Sequence, residues 1–187
     1  MQPDNRNLKS HLQLLLLRHA KSSRDDSEAA DIDRPLAPRG SRAAKAMGQT
    51  IARQGLVPDL VLCSPARRAR QTWQLAAQEL EHVPETKTIE PLYDFGDGSA
   101  LLDVIRTHGG SAPSLMLVGH NPAMEELAKR LISKGPPKLR QRLETKFPTG
   151  ALAIIRFRHA SWAQLVENEG ELTHFIRPAD ITTDTGE

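Results

Sequence analysis

Residues 14–22 read LLLLRHAKS, an apolar run that ends abruptly on an arginine and a histidine. A short continuous apolar run without alternation is typical of a strand that is buried on both faces. Two more such runs follow, LVLC at residues 60–63 and LMLV at residues 115–118, with helix-periodic segments between them. This order of elements predicts an α/β fold with three layers, α/β/α, around a mainly parallel central sheet.

The rest of the chain divides into elements by its periodicity and by its Gly and Pro residues. Helices are predicted over residues 40–54, 65–81, 99–107 and 123–133, and further strands over residues 88–92, 151–157 and 172–176. The length of 187 residues suits one domain. We assign that domain to residues 11–187 and interpret the polar residues 1–10 as a loose N-terminal tail.

The composition argues against several classes of function. A net charge of +2 is too weak to indicate a nucleic-acid binder, so no nucleic-acid partner is expected. The apolar run at residues 12–17 is too short for a signal-peptide core or a membrane span, and we expect a cytoplasmic protein without a membrane partner. Cys63 is the one cysteine, which excludes an intrachain disulfide and a thiolate zinc cluster and indicates a buried structural thiol.

Polar residues with catalytic potential come directly after the three apolar runs. Arg18 and His19 follow the first run, residues 64–72 (SPARRARQT) follow the second, and residues 119–122 (GHNP) follow the third. Ligands of open α/β sheets bind outside the carboxyl ends of the strands. If the three strands are neighbours in the sheet, these arginines and histidines converge on one cleft.

Arginines and histidines in one cleft indicate a phosphate ligand. Arginine offers planar, bidentate donors to phosphate oxygens, and a neutral histidine offers a nucleophilic nitrogen. The sequence has no carboxylate cluster and no Gly-rich Walker loop, so we expect neither a metal nor a cofactor. The chemistry indicated is transfer of a phosphoryl group to a histidine. Taken singly, each of these residues also fits a structural role without any catalytic function. For Arg67 and Arg70, the favoured interpretation is that they lie on a solvated helix face.

Three motifs in order resemble those of the histidine phosphatase superfamily. Residues 17–22 (LRHAKS) resemble its Arg-His signature, often called the RHG motif, although Ala20 stands here in place of Gly. Residues 64–72 resemble its second motif, and residues 118–121 (VGHN) resemble its third. An isolated Arg-His pair is a weak signal, whereas three motifs in order are a strong one. The likeness runs from about residue 12 to residue 181, nearly the whole chain.

Within that superfamily the chain is most similar to the SixA-type phosphohistidine phosphatases. The similarity rests on Ala20, on LAPRG at residues 36–40 and on FPTGAL at residues 147–152. It implies a phosphoglycerate mutase-like fold. It also implies that His19 is the covalent nucleophile, in a phosphate pocket formed by Arg18, Arg68 and His120.

The sequence leaves open the roles of the residues just after the predicted nucleophile. Lys21 and Ser22 are candidate contacts for phosphate or substrate, although a solvated Lys21 fits equally well. Larger members of the superfamily often have an Asn six residues after the nucleophile. This chain has Asp25 there, an anion that would repel phosphate, so that role is not transferred.

A general acid is the least certain part of the predicted site. Members that act on alkyl phosphates place a Glu or Asp after the second helix, where this chain has Glu90, Asp94 and Asp97. Asp94 is the candidate acid, with a solvated Asp94 as the open alternative, and Asp97 before Gly98 fits turn chemistry. SixA-type members lack an obvious acid at this place.

The resemblance implies a metal-independent phosphatase that works in two steps. Neutral His19 attacks phosphorus, water then hydrolyses the phosphohistidine enzyme, and Arg18, Arg68 and a protonated His120 stabilise the equatorial oxygens. The short insert between the second and third strands leaves little material for a lid, and an open site suits phosphohistidine on a protein. The alternatives are a small-molecule phosphomonoesterase or mutase that takes a small phosphate ester, and a catalytically silent phosphate-binding module. The basic stretch 129–142 either docks an acidic partner or is a solvated face.

Overall fold

A computed structural model describes residues 11–24, 30–159 and 161–181, so the predicted tail at residues 1–10 lies outside the described residues. Within those ranges, seven strands form one sheet with the order β3-β2-β4-β1-β6-β7-β5. The strands are β1 (Leu12–Arg18), β2 (Leu60–Cys63), β3 (Glu85–Thr88), β4 (Ser114–Gly119), β5 (Ile132–Lys134), β6 (Leu152–Phe157) and β7 (Gly170–Ile176). The helices are α1 (Pro38–Arg53), α2 (Arg67–Ala77), α3 (Ser99–His108), α4 (Ala123–Leu131) and α5 (Pro137–Thr145).

The predicted three-layer arrangement is confirmed by the way the leucines of β1 point. Successive side chains of a strand face opposite sides of the sheet. Leu14 and Leu16 therefore pack with the apolar faces of α3 and α4, whereas Leu15 and Leu17 pack with those of α1 and α2. All of these leucines are fully buried. A strand covered on both sides needs an unbroken apolar run, which is why this stretch shows no alternation.

The sheet is mainly parallel at the end where the motifs lie. Strands β3, β2, β4 and β1 run parallel, and β6 pairs antiparallel with β1 on its other side. In this register Arg18 lies opposite Gly119, and Cys63 lies opposite Val118. The carboxyl ends of β1, β2 and β4 are therefore neighbours, as the convergence of the motifs requires.

Some predicted elements were wrong in place or length, and one helix was missed. The strand expected at residues 88–92 lies at Glu85–Thr88, where it is an exposed polar edge strand, and a short 3-10 turn occupies Glu90–Leu92. The helix expected to reach residue 133 ends at Leu131, because the next residues pair with β7. Helix α5 was not predicted, since Leu143 is its one buried side chain and gives no apolar period. No helix in the described part of the chain is long and apolar enough to cross a membrane.

Candidate active site

His19, the predicted nucleophile, lies immediately beyond the end of β1, and its ring is held neutral. Its backbone N–H donates to the Gly119 carbonyl at 3.0 Å, and its ring Nδ1 lies 2.7 Å from the Ala20 carbonyl oxygen. A carbonyl oxygen only accepts, so Nδ1 carries the proton and Nε2 keeps its lone pair. Burial, with smaller contributions from the nearby charges of Arg68 and Arg18, lowers the pKa of His19 to about 4. The imidazole is therefore neutral near pH 7.

The loop after His19 is fixed by residues of the second motif and by two glycines. The Ala20 N–H donates to Thr72 Oγ1 at 2.9 Å. The N–H of Gly150 donates to the His19 carbonyl at 3.0 Å, in a turn where Gly150 has φ +77°. At Gly40, the start of α1 approaches so closely that a Cβ would lie 2.1 Å from the Lys21 carbonyl oxygen. These contacts explain why the segments around Gly40 and Gly150 have glycine where they meet the loop after His19.

The two predicted arginines reach the site from different elements. Arg18 ends β1, and its Nη1 donates to the Phe147 carbonyl at 2.7 Å. Arg68, at 3% exposure, lies in the first turn of α2 and points inward. Arg67 and Arg70, on the same turn, are exposed, which agrees with the solvated helix face predicted for them. The geometry thus separates Arg68 from its arginine neighbours.

His120 follows β4 and lies against His19, with the two ring centroids 5.1 Å apart. Burial, the neighbouring His19 and Arg68 lower the pKa of His120 to about 3, so these surroundings favour a neutral ring over the protonated one expected from the sequence. Ser64 Oγ lies 2.7 Å from Nε2, and Nδ1 is buried with no partner in the described part of the chain. With Ser64 as donor to Nε2, the neutral ring presents an Nδ1–H donor that can serve a phosphate oxygen.

Asp31 and Arg34 are site residues that the sequence analysis missed. Asp31 accepts from Arg68 twice, through its backbone oxygen at 2.5 Å and its carboxylate at 2.9 Å. Its carboxylate also accepts from Arg34 at 2.8 Å and from the Tyr93 hydroxyl at 2.6 Å. The hydrogen bonds from Tyr93 and Arg68 lower the pKa of Asp31, so it is an anion at neutral pH. The only sequence signal was an arginine before a proline inside an acid-rich loop.

The residues whose roles the sequence left open lie in different parts of the structure. Ser22 is buried, and its Oγ accepts from Arg34 at 2.6 Å, while Lys21 is exposed and lines a groove beside the site. Among the described residues, no hydrogen bond or ion pair joins Asp94 to His19, Arg68 or His120. Asp97 accepts from the Ser99 N–H at 3.0 Å at the start of α3, as its predicted turn role requires. Asp25 lies outside the described residues.

An aromatic wall formed by Tyr93 and Phe95 borders the pair of His19 and His120. The rings of Tyr93 and Phe95 lie 5.4 and 5.2 Å from the ring of His120 and 5.1 Å from each other. Tyr93 is pinned by its hydroxyl bond to Asp31, whereas Phe95 keeps 46% of its surface exposed. An exposed phenylalanine beside a buried pair of histidines is available to pack against a bound molecule.

Other chemistries find less support in the described residues. Cys63 is buried, and burial raises the pKa of its thiol to about 12, which fits a structural thiol and not a nucleophile. No group of three or more His, Cys, Asp or Glu side chains is arranged there to hold a metal ion. The described site is a cluster of two arginines and two histidines, with Asp31 and Arg34 beside them.

Comparisons with known proteins agree with this geometry. The family model for the histidine phosphatase superfamily (branch 1) matches residues 14–97. The crystal structure of a candidate phosphohistidine phosphatase SixA from Agrobacterium tumefaciens superposes with a TM-score of 0.75 at 30% identity, covering 89% of this chain and 98% of that one. The chain belongs to the histidine phosphatase superfamily. Its SixA-type resemblance and its phosphoglycerate mutase-like fold are confirmed, and its membership supports phosphatase activity.

Two further proteins are similar to this histidine phosphatase over most of its length. A SixA-type structure from Nakamurella multipartitia has a TM-score of 0.73 at 28% identity and covers 90% of this chain and 96% of that chain. The uncharacterized Mycobacterium tuberculosis protein Rv1276c is 37% identical over 164 residues, which are 87% of this chain and 99% of the relative. The family model ends before His120, so the place of His120 in the site rests on its contacts with His19 and Ser64.

Proposed function

We propose that this histidine phosphatase removes phosphate from phosphohistidine on a protein, through a phosphoenzyme intermediate on His19. The observation that carries the proposal is the state of His19. Its Nδ1–H is committed to the Ala20 carbonyl, which leaves Nε2 unprotonated, and the charges of Arg68 and Arg18 act on the ring. A metal-free phosphoryl transfer asks for this combination of an unprotonated nucleophile and fixed cations.

In the first step, the Nε2 lone pair of His19 forms a bond to phosphorus as the bond between phosphorus and the substrate nitrogen breaks. The leaving imidazole departs neutral when its other nitrogen has been protonated beforehand. Arg18, Arg68 and the Nδ1–H of His120 stabilise the charge on the equatorial oxygens. In the second step, water attacks phosphorus, the bond to Nε2 breaks, and inorganic phosphate leaves a neutral His19.

The surroundings of Asp31 support a leaving group that departs without protonation by a general acid of the enzyme. Among the described residues Asp31 is the carboxylate that contacts Arg68, and the bonds from Tyr93 and Arg68 keep it ionised. An ionised carboxylate is a poor general acid at neutral pH. An alkoxide leaving group would therefore depart unprotonated, whereas a protonated phosphohistidine needs no acid from the enzyme.

The aromatic wall supports a flat leaving group. Phe95 and Tyr93 border His120 at ring distances of 5.2 and 5.4 Å, and the ring of Phe95 is half-exposed. An imidazole or aryl ring bound at the mouth of the site can pack against Phe95 at the distances that aromatic pairs favour. A small aliphatic phosphate ester gains nothing from this contact.

The test compares leaving groups on one scaffold. A histidine peptide phosphorylated with phosphoramidate and a phosphoserine peptide of the same sequence are hydrolysed side by side, with His19→Ala as the control. General acid catalysis contributes about 10²–10⁴-fold, so the phosphohistidine peptide should be hydrolysed at least about 100-fold faster by kcat/KM. Equal rates, or faster hydrolysis of the phosphoserine peptide, would favour a small-molecule phosphomonoesterase that has a working acid.

A further inference from the structure

A cationic groove lies beside the nucleophile loop. Its volume is about 440 Å³, and four of its lining side chains are basic: Lys21, Arg39, Lys146 and Arg177. No acidic residue is found among the described residues that line it. Prolines 148 and 178 form part of its wall, which gives the groove a stiff surface.

The groove starts next to the catalytic centre. Lys21 is two residues beyond His19, so their Cα atoms are at most about 7.6 Å apart. Thr149 lines the groove, and the neighbouring Gly150 donates to the His19 carbonyl. An extended peptide advances about 3.3 Å per residue. Side chains two to four residues from a phosphohistidine at His19 would therefore reach the groove.

The positive charge of the groove is largely uncompensated. No carboxylate in the described part of the chain pairs with Lys21, Arg39 or Lys146, which are exposed. Arg177 is paired with Asp180 at 2.8 Å, and Asp180 also pairs with Arg142.

The basic stretch 129–142, which the sequence offered as a docking surface, differs from the groove in this respect. Lys129 pairs with Glu125 at 2.7 Å, and Arg130 pairs with Glu167. Arg142 contacts Asp180, a carboxylate that it shares with Arg177, and Lys134 lies 4.0 Å from Glu171. Lys138 and Arg140 are the cations of that stretch without a carboxylate partner among the described residues. The groove brings three such cations together on one concave wall.

We propose that the groove binds acidic side chains that flank the phosphohistidine of the protein substrate. The inference rests on the proposed function and names the partner of the same site. Several exposed cations on one concave wall attract carboxylates, which raises the rate of encounter and fixes the register of the bound segment. The groove is thus a specificity site for an acidic segment.

The experiment uses two phosphohistidine peptides that differ only in flanking residues, Asp and Glu in one and Ser and Gln in the other. The double variant Arg39→Ser, Lys146→Ser should raise KM for the acidic peptide about 5-fold and leave KM for the neutral peptide unchanged, because exposed ion pairs contribute modestly. The same variant should hydrolyse p-nitrophenyl phosphate at the wild-type kcat/KM. Arg42→Ser, Lys45→Ser removes the same charges from exposed positions on α1 outside the groove and should leave all three substrates unaffected.

The outcomes separate the two proposals. An acidic peptide that gains nothing over the neutral one, in wild type and variant alike, would overturn the groove as a docking site while leaving phosphohistidine hydrolysis intact. A small bisphosphate is tested as a fourth substrate. Loss of activity by the double variant toward the bisphosphate alone would assign the groove to a second phosphate and overturn its assignment to a protein. If neither peptide is hydrolysed while p-nitrophenyl phosphate is, the proposed function fails and this inference fails with it.

Discussion

Replacing Asp31 by Asn should make the enzyme bind phosphate more tightly. The Asp31 carboxylate lies on Arg68 at 2.9 Å and on Arg34 at 2.8 Å, so it occupies guanidinium groups that a phosphate at His19 would use. Asn keeps the shape and removes the competing charge. Because the carboxylate is 47% exposed, each ion pair contributes only about 0.5 kcal/mol, and the two together contribute about 1 kcal/mol. That free energy corresponds to an inhibition constant about 5-fold lower for inorganic phosphate.

The assay for this prediction is inhibition of p-nitrophenyl phosphate hydrolysis by inorganic phosphate near pH 7.5. The matched control is Asp33→Asn, an exposed carboxylate on the 3-10 turn Asp31–Asp33, which should leave the inhibition constant unchanged. Weaker phosphate inhibition in Asp31→Asn would refute the reasoning, because it would mean that Asp31 orients Arg68 for phosphate and does not compete with it.

Three further predictions follow from the same geometry. Arg68→Ala should lower kcat/KM about 10²–10³-fold, whereas Arg67→Ala and Arg70→Ala should keep a kcat/KM near that of the wild type. Equal losses in all three variants would show that Arg68 is wrongly assigned as the phosphate ligand. Because burial lowers the pKa of His19 to about 4, kcat/KM for p-nitrophenyl phosphate should hold as pH falls from 8 to about 5 and decline only as protonation removes the lone pair; a decline centred near pH 6.5 would mean an ordinary histidine. Phe95→Ala should raise KM for phosphoimidazole about 3- to 10-fold and leave KM for phosphoramidate unchanged. Both substrates have a phosphorus–nitrogen bond, but only phosphoimidazole has a ring that can contact Phe95. Equal changes in KM for both substrates would exclude the aromatic contact.

The fold could be predicted where burial leaves a strong pattern. Strand β1 is covered on both faces, so its leucines form an uninterrupted run, and the neighbouring β4 and the next strand, β2, behave in the same way. Strand β3 and helix α5 gave no such signal. The side chains of β3 are exposed at the sheet edge, and α5 buries only Leu143, so their positions depend on tertiary contacts that no local periodicity encodes.

The site could be predicted where its residues directly follow strands. His19 and His120 each come immediately after a strand, and the order of the strands brings them together. Asp31 reaches Arg68 from a loop whose path is set by long-range contacts, such as the bond from Arg34 to Ser22. The charge state of His120 was likewise inaccessible from sequence, because it follows from 1% exposure and from neighbouring cations.

The most direct test of the account is the position of the phosphate on the trapped phosphoenzyme. Rapid quench in alkali with a phosphohistidine peptide, followed by digestion and NMR of the labelled peptide, distinguishes Nε2-phosphohistidine from Nδ1-phosphohistidine. Because Nδ1 of His19 donates to the Ala20 carbonyl at 2.7 Å, the account predicts phosphate on Nε2 of His19, in an adduct that is labile in acid and stable in alkali. Phosphate on Nδ1, an acid-stable adduct, or full turnover by His19→Ala would contradict it.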